Sequence, residues 1–300
     1  MISIHRILCP VDFSEASRRA LEHAAALARW YEARLFTLHV VPLVPTTLSF
    51  PPAISAATME PVPPEAFHEE LRRFVAPAAD TVPAETVVMS GDPARTVLEQ
   101  ARALEADLVV LGTHGRSGFE RLVLGSVAEK VLRRATCPVL TVPPAVAEHP
   151  ATARPPYQRI LCPVDFSATS DRALRYAFSL AEEAKARLTV LHVLEWFPEQ
   201  EIREHRHFDV PEYRRFLEED ARRRLAEAIP EDVRTWCEPV EKVGCGKPYR
   251  EILRVAAEDR SDAVVMGVHG RGALDVALFG STTNQVVRQA HCPVLTVRGR

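Results

Sequence analysis

Matching segments recur along the sequence at an almost constant offset of about half its length, so any fold it adopts has to hold two copies of one domain. Arg6–Ser14 reads RILCPVDFS, and Arg159–Ser167 repeats it at an offset of 153 residues. Cys137–Val142 reads CPVLTV and returns at Cys292–Val297, at an offset of 155. Between them His39-Val40 answers His192-Val193, and GTHGR at Gly112–Arg116 answers GVHGR at Gly267–Arg271. An offset that drifts by two residues across a domain marks duplication of that domain, not a short-period solenoid. Each half of the 300 residues is long enough to bury its own core. The repeat places one domain at 1–144, a proline-rich linker at 145–156 and a second domain at 157–300. Prolines 143, 144, 150, 155 and 156 suit an extended, semi-rigid spacer.

Within each copy, strand-like and helix-like patterns alternate. In the first, Arg6–Val11 reads as a strand, and Ser14 as the N-cap of a helix with apolar residues recurring through Leu21, Ala24, Ala25 and Ala28. Arg34–Val41 reads as a second strand. Pro42–Pro64 carries seven prolines and reads as a loop. A helix is expected over Glu65–Ala76, a strand over Glu85–Met89, and a helix with proline in its first turn over Pro93–Leu104. Asp107–Leu111 (DLVVL) is a continuous apolar run, as in a strand covered on both faces. A helix at Ser126–Arg134 and a short strand at Val139–Val142 finish the copy. This order argues α/β: two tandem doubly wound, Rossmann-like domains, each a five-stranded parallel sheet flanked by helices. The middle of copy two, Glu195–Glu212, is more charged than its counterpart and reads as a surface insertion.

Composition removes several function classes. Residues 1–150 hold 14 Lys and Arg against 17 Asp and Glu, and residues 151–300 hold 23 of each. Neither half has the basic excess of a nucleic-acid binder. No run approaches the roughly 18 apolar residues of a membrane span, and the N-terminus lacks the features of a signal peptide. The six cysteines form no CxxC pair and read as reduced thiols in a cytoplasmic protein, with no metal site expected. His205 and His207, in the charged insertion, are a minority candidate for metal.

In an open α/β sheet, ligands bind beyond the carboxyl ends of the strands, where strand order reverses. The repeated residues cluster at such ends. Asp12 and Asp165 follow the first strand of each copy, and Gly112 and Gly267 end the fourth. Copy one continues from Gly112 through Gly115 to Gly125-Ser126, and copy two from Gly267 through Gly270 to Gly280-Ser281, with spacing G-2x-G-9x-G-S in both. Glycines let backbone approach a phosphate, and the following helix start favours an anion. His114, Arg116, His269 and Arg271 add polar groups beside the crevice. The alternatives are plain: Gly112 and Gly267 as turn glycines, Ser126 and Ser281 as N-caps, the aspartates as helix caps. His114 and His269 stand between ligand-facing and capping roles. His39 and His192 read as satisfied core histidines, and Arg222–Arg224 as a solvated helix face. Gly244-Cys245-Gly246-Lys247 lacks P-loop spacing and reads as a turn before a helix.

Taken together, the ILCPVDFS start, the His-Val pair, the DLVVLG strand, the glycine motif and CPVLTV resemble the universal stress protein family in its tandem form. The resemblance spans nearly the whole chain, twice. It implies ATP binding, with or without Mg2+, in a stress-response or regulatory module with no dedicated catalytic residue. Carried onto this sequence, it implies that Pro10, Val11 and Asp12 meet adenine and ribose, and that Val40 offers backbone to the adenine edge. Gly112, His114, Gly115 and Arg116 would line ribose and phosphates, and Gly125, Ser126 and Val127 would hold the phosphates. The second set is Pro163, Val164, Asp165, Val193, Gly267, His269, Gly270, Arg271, Gly280, Ser281 and Thr282. In copy two Ser117-Gly118 becomes Gly272-Ala273, which sets its site apart. The family's pairing through last strands implies that the two domains pair within the chain, with a further homodimer as an additional option. The competing functions are a nucleotide-free dimerisation module, a slow ATPase, and an adenylyl-transferring ligase, whose SGGxDS and HIGH signatures are absent.

Overall fold

The computed structural model describes residues 2–42, 64–80, 82–113, 124–144, 157–195, 210–268 and 280–298. Copy one runs β1 (Arg6–Val11), α1 (Glu15–Trp30), β2 (Arg34–Pro42), a 3-10 turn (Pro64–Phe67), α2 (His68–Ala79), β3 (Ala84–Gly91), α3 (Pro93–Ala103), β4 (Leu108–Gly112), α4 (Ser126–Arg134) and β5 (Val139–Val142). Copy two runs β6 (Arg159–Val164), α5 (Ala168–Ala184), β7 (Arg187–Leu194), α6 (Val210–Ala228), α7 (Glu231–Trp236), β8 (Val240–Cys245), α8 (Pro248–Glu258), β9 (Ala263–Gly267), α9 (Ser281–Gln289) and β10 (Val294–Val297).

All ten strands join one sheet, in the order β3-β2-β1-β4-β5-β10-β9-β6-β7-β8. Within each copy every pairing is parallel, as strand–helix–strand crossovers require. β1 lies between β2 and β4, with Ile7 opposite Leu35 on one side and Leu108 on the other. The chain winds outward from β1 to β3, then returns to build β4 and β5 on β1's other side. The switch point of each copy is therefore the β1–β4 gap, and its counterpart is the β6–β9 gap.

The two copies meet at β5 and β10, which pair antiparallel with Leu140 opposite Leu295 and Thr141 opposite Val294. Thr141 Oγ1 donates to Val294 O at 3.2 Å, and Thr296 Oγ1 donates to Val139 O at 3.1 Å. These hydroxyls are buried, so the bonds also keep them from standing unsatisfied. Around the ladder, Ile2 N–H donates to Ser179 Oγ at 2.6 Å, His23 Nδ1 and Tyr157 Oη lie 3.3 Å apart, and the Arg298 guanidinium donates to Arg133 O. Apolar side chains continue across the junction on both faces. One layer joins Leu27 and Val75 to Leu174 and Leu225, and the other joins Val131 and Leu132 to Val286 and Val287. A cavity of about 20 Å3 sits on this seam among Leu27, Leu140, Tyr157, Leu180 and Leu295, far too small for a nucleotide.

Two expectations shift. The helix expected over Glu65–Ala76 begins as the 3-10 turn and runs as α-helix to Ala79, past Pro77. Burial of Leu71, Phe74, Val75 and Ala78 carries it one turn further than its polar pattern suggested. The insertion of copy two ends in a helix, because α6 starts at Val210. His205 and His207 lie outside the described residues, as does the linker 145–156. All six thiols are free. Burial pushes Cys137 up to about 11 and Cys292 to about 12, and holds Cys9 and Cys162 higher still.

Leu140 is 1% exposed and faces its counterpart across the seam. Leu140→Ala is expected to lower unfolding free energy by about 2–5 kcal/mol, because a shared core loses volume it cannot refill. Urea unfolding read by tryptophan fluorescence and circular dichroism checks it. A loss below about 1 kcal/mol would show that the seam contributes little to stability.

Candidate functional site

Each β1-to-α1 turn is built from three residue types in fixed order. Ser14 is the N-cap of α1, and its side chain accepts the Ser17 N–H at 3.2 Å. Asp12 Oδ1 accepts both the Ser14 N–H at 3.1 Å and the Ser14 hydroxyl at 2.5 Å. Ser17 Oγ donates back to Ser14 O at 2.9 Å. Copy two reproduces the ring with Asp165, Ser167 and Ser170, the same four bonds in the same order measuring 3.2, 3.0, 2.6 and 3.0 Å. The aspartates are therefore not N-caps themselves. They orient the serines that are.

The middle residue of the turn, Phe13 or Phe166, is left-handed, at φ +65° and +60°. A bulky side chain in that region costs about 1–3 kcal/mol. Ring packing offsets it. Phe13 lies 4.4 Å from the His39 ring and meets Phe74 edge-on at 5.5 Å, and Phe166 lies 4.4 Å from His192. His39 Nδ1 sits 2.9 Å from Val11 O, and His192 Nδ1 sits 2.8 Å from Val164 O. A carbonyl only accepts, so Nδ1 carries the proton in both rings. These histidines are satisfied core groups, as their apolar surroundings suggested, and they tie the end of β2 to the end of β1. Pro10 and Val11 close β1, and Val40 follows His39 in β2. Pro163, Val164 and Val193 take the same places in β6 and β7.

Across the switch point, Gly112 ends β4 and Gly267 ends β9. A Cβ on Gly112 would meet Ala16 O at 2.9 Å, and one on Gly267 would meet Thr169 Cγ2 at 2.9 Å. These glycines let the first turn of α1 or α5 lie against the strand end. The loop that follows is pinned at its base. Thr113 N–H donates to Val142 O at 3.1 Å, and Gly125 N–H donates to Thr113 O at 2.8 Å. Val268 and Gly280 repeat this pattern at 3.0 and 3.1 Å.

The helices after these loops start on glycine. Gly125 (φ −60°, ψ 141°) is the N-cap of α4, and Gly280 (φ −56°, ψ 136°) the N-cap of α9. Ser126 and Ser281 are the first helical residues and not the caps, which corrects the capping alternative for both. Val127 and Thr282 come second. Neither cap residue makes a side-chain cap hydrogen bond, at the end of the helix where the dipole favours negative charge. His114, Gly115, Arg116, His269, Gly270, Arg271 and the shifted loop glycine at 272–273 lie outside the described residues.

The copies differ in detail around this common frame. Asp92, N-cap of α3, accepts the Arg95 N–H at 2.8 Å and pairs with Lys130 at 3.8 Å. The Arg95 hydrogen bond, with help from the Lys130 charge, holds the Asp92 carboxyl below the ordinary carboxylate range. In copy two the N-cap is Lys247, after Gly246 at φ +136°, so this stretch is a turn before a helix. Thr283 Oγ1 donates to Gly267 O at 2.9 Å, where copy one has Ala128. Arg224 lies 4.1 Å over the Phe166 ring, so the Arg222–Arg224 run is not wholly a solvated face. The repeated spacing Asp-Phe-Ser-x-x-Ser was the signal that could have revealed the turn network. Nothing local foretold the Arg224 contact. Among the described residues, no group of three His, Cys, Asp or Glu side chains is placed to hold a metal, and no helix is long and apolar enough to cross a membrane.

Comparison with known proteins places this geometry among relatives. The profile of the Universal stress protein family matches residues 3–143 and again 156–298. A universal stress protein of Methanocaldococcus jannaschii is 36% identical over 138 residues, covering 46% of this chain and 81% of the relative. One from Mycobacterium bovis is 33% identical over 210 residues, covering 69% of this chain and 66% of its own length. The crystal structure of a universal stress protein from Archaeoglobus fulgidus, 24% identical, superposes with a TM-score of 0.65 over 99% of this chain and 97% of that one, which supports the fold.

The two kinds of glycine separate experimentally. Gly112→Ala places a methyl against backbone and is expected to destabilise by about 1–3 kcal/mol. Gly125 has backbone angles that any residue adopts, so Gly125→Ala is expected to change stability by less than about 1 kcal/mol. Thermal and urea unfolding of both variants check the contrast, and equal effects would refute it.

Proposed function

Because this chain belongs to the universal stress protein family over both of its halves, we propose that it is a regulatory nucleotide-binding module that takes ATP in each of its two crevices. One observation carries the reading. In each copy an aspartate-ordered turn and a helix start with no side-chain cap lie at the carboxyl edge of the same sheet, on the two strands that flank the switch point.

The donor set fits a nucleotide. A carboxylate held beside a strand end accepts from vicinal ribose hydroxyls. The N–H groups of Ser126 and Val127, or of Ser281 and Thr282, donate to phosphate oxygens, and the Ser126 or Ser281 hydroxyl adds a further donor. Glycine at the cap leaves backbone open to close approach. Pro10 and Val11 wall the base side with Val40, and Pro163, Val164 and Val193 do so in the second copy. Gly112 and Gly267 keep the floor between the two walls low. His114, Gly115, Arg116, His269, Gly270 and Arg271 belong to the loops that would cover ribose and phosphates. Binding that stabilises one state of the chain is enough for a switch, because a ligand shifts an equilibrium by its differential affinity.

The test is the nucleotide content of the purified full chain, released by denaturation and counted by mass spectrometry, then calorimetric titration with ATP with and without Mg2+. About two equivalents per chain are expected. Gly125→Val and Gly280→Val should each weaken one site by tenfold or more, about 1.4 kcal/mol, with folding retained. Released ADP that reappears after incubation with fresh ATP would add slow hydrolysis to binding. No nucleotide and no titratable binding would overturn the reading and leave a nucleotide-free pairing module.

A further inference from the structure

The Gly244-Cys245-Gly246-Lys247 stretch has no part in the proposed site, yet its last residue is the equivalent of one that, in copy one, reaches the helix after the glycine motif. Position 92 in copy one and position 247 in copy two are equivalent N-caps, of α3 and α8. In copy one the side chain there reaches the neighbouring helix, since Asp92 lies 3.8 Å from Lys130 on α4. Lys130 is four residues beyond Ser126, and helical side chains lean toward the N-terminus, so this contact falls beside the first turn of α4. Carboxylate and ammonium neutralise each other there.

In copy two the equivalents are Lys247 and Gln285. Lys247 caps no N–H, is exposed, and has no ion pair among the described residues. Its own helix offers no relief, because an ammonium at a helix N-terminus faces the positive end of the dipole. Glu251, the acid of that first turn, is engaged by Arg254 at 2.7 Å. The start of α4 carries Glu129, whereas the first turn of α9 carries no acid. In copy one each of these carboxylates has a cation beside it, Asp92 with Lys130 and Glu129 with Arg133 at 3.0 Å; in copy two both carboxylates are gone, Gln285 replaces Lys130, and Lys247 stands in the place of Asp92.

We infer that Lys247 is a specificity-determining residue of the second crevice, making it the site that selects for the polyphosphate tail of a nucleotide. The inference rests on the nucleotide-binding reading. Lys247 donates to terminal phosphate oxygens of a nucleotide seated at the start of α9, so affinity rises more steeply from AMP to ATP there than at the first crevice. Gly246, left-handed at φ +136°, shapes the turn that presents it.

The test uses the full chain with one site silenced, Gly125→Val to isolate the second crevice and Gly280→Val to isolate the first, titrated with ATP, ADP and AMP. The ATP-to-AMP affinity ratio is expected to be about tenfold higher for the second crevice, and Lys247→Gln should lower ATP affinity there about fivefold to tenfold while AMP changes less than about twofold. Added salt should shrink the difference. Asp92→Lys in the chain with only the first crevice open should raise its ratio. Equal loss of ATP and AMP affinity in Lys247→Gln, or no loss of either, overturns the role of Lys247 while nucleotide binding stands. Failure of all three nucleotides to bind either crevice overturns both readings.

Discussion

The antiparallel pairing of β5 with β10 sets the terms for the rest of the molecule. Each copy alone would end on a short, largely apolar strand with an open row of N–H and C=O groups, a template for uncontrolled association. Pairing them inside one chain closes both edges at once, and the two buried threonine hydroxyls find carbonyls only because the other copy is there. The ladder is short, so its strength comes from the apolar layers that cross it on both faces. Antiparallel pairing also reverses the direction of the second sheet. The carboxyl ends of β1 and β4 therefore face one edge of the ten-stranded sheet, and those of β6 and β9 face the opposite edge. Among the described residues, the two switch points are joined through the seam.

Within each copy, a local strain and its compensation define the crevice wall. A left-handed phenylalanine is costly, and it persists because the His39 or His192 ring receives it while that ring holds the preceding strand by its Nδ1–H. The consequence is felt one residue earlier, where the turn brings Asp12 or Asp165 back over the helix start. The serine pair then fixes the carboxylate. The aspartate's position is thus set by aromatic packing beneath it and by the helix cap beside it. The same residue orders the helix cap and stands at the carboxyl end of the first strand, and that explains why a capping role and a role at the strand end could not be separated from sequence.

Much of the frame was legible because it rests on periodicity and repetition. Alternating strand and helix patterns gave the element order, and the repeat gave two domains. The rule that ligands sit at strand ends pointed to Asp12 and Gly112 before their neighbourhood was known. What escaped was set by contacts distant in sequence. No local rule expects phenylalanine at positive φ, where glycine or asparagine is the usual choice. Arg224 meets Phe166 only because α6 folds over the turn. The helix containing Pro77 runs longer than its polar pattern suggested because burial outweighs propensity. Serine after glycine looked like a cap on statistics alone, while the backbone puts the cap one residue earlier.

That last displacement alters the weight of the glycine motif. Gly112 and Gly267 are explained by packing alone, since a methyl group at either would press on the first turn of the neighbouring helix. They would be needed in a protein that bound nothing. Gly125 and Gly280 are different. Their backbone angles are open to any residue, and serine, aspartate or asparagine would cap the helix better. A chain that takes Ser14 and Ser167 as caps elsewhere gives up that stabilisation twice, at equivalent positions, where a side chain would stand at the start of the helix. An uncapped helix start is therefore a feature of Gly125 and Gly280, whereas packing against the neighbouring helix accounts for Gly112 and Gly267.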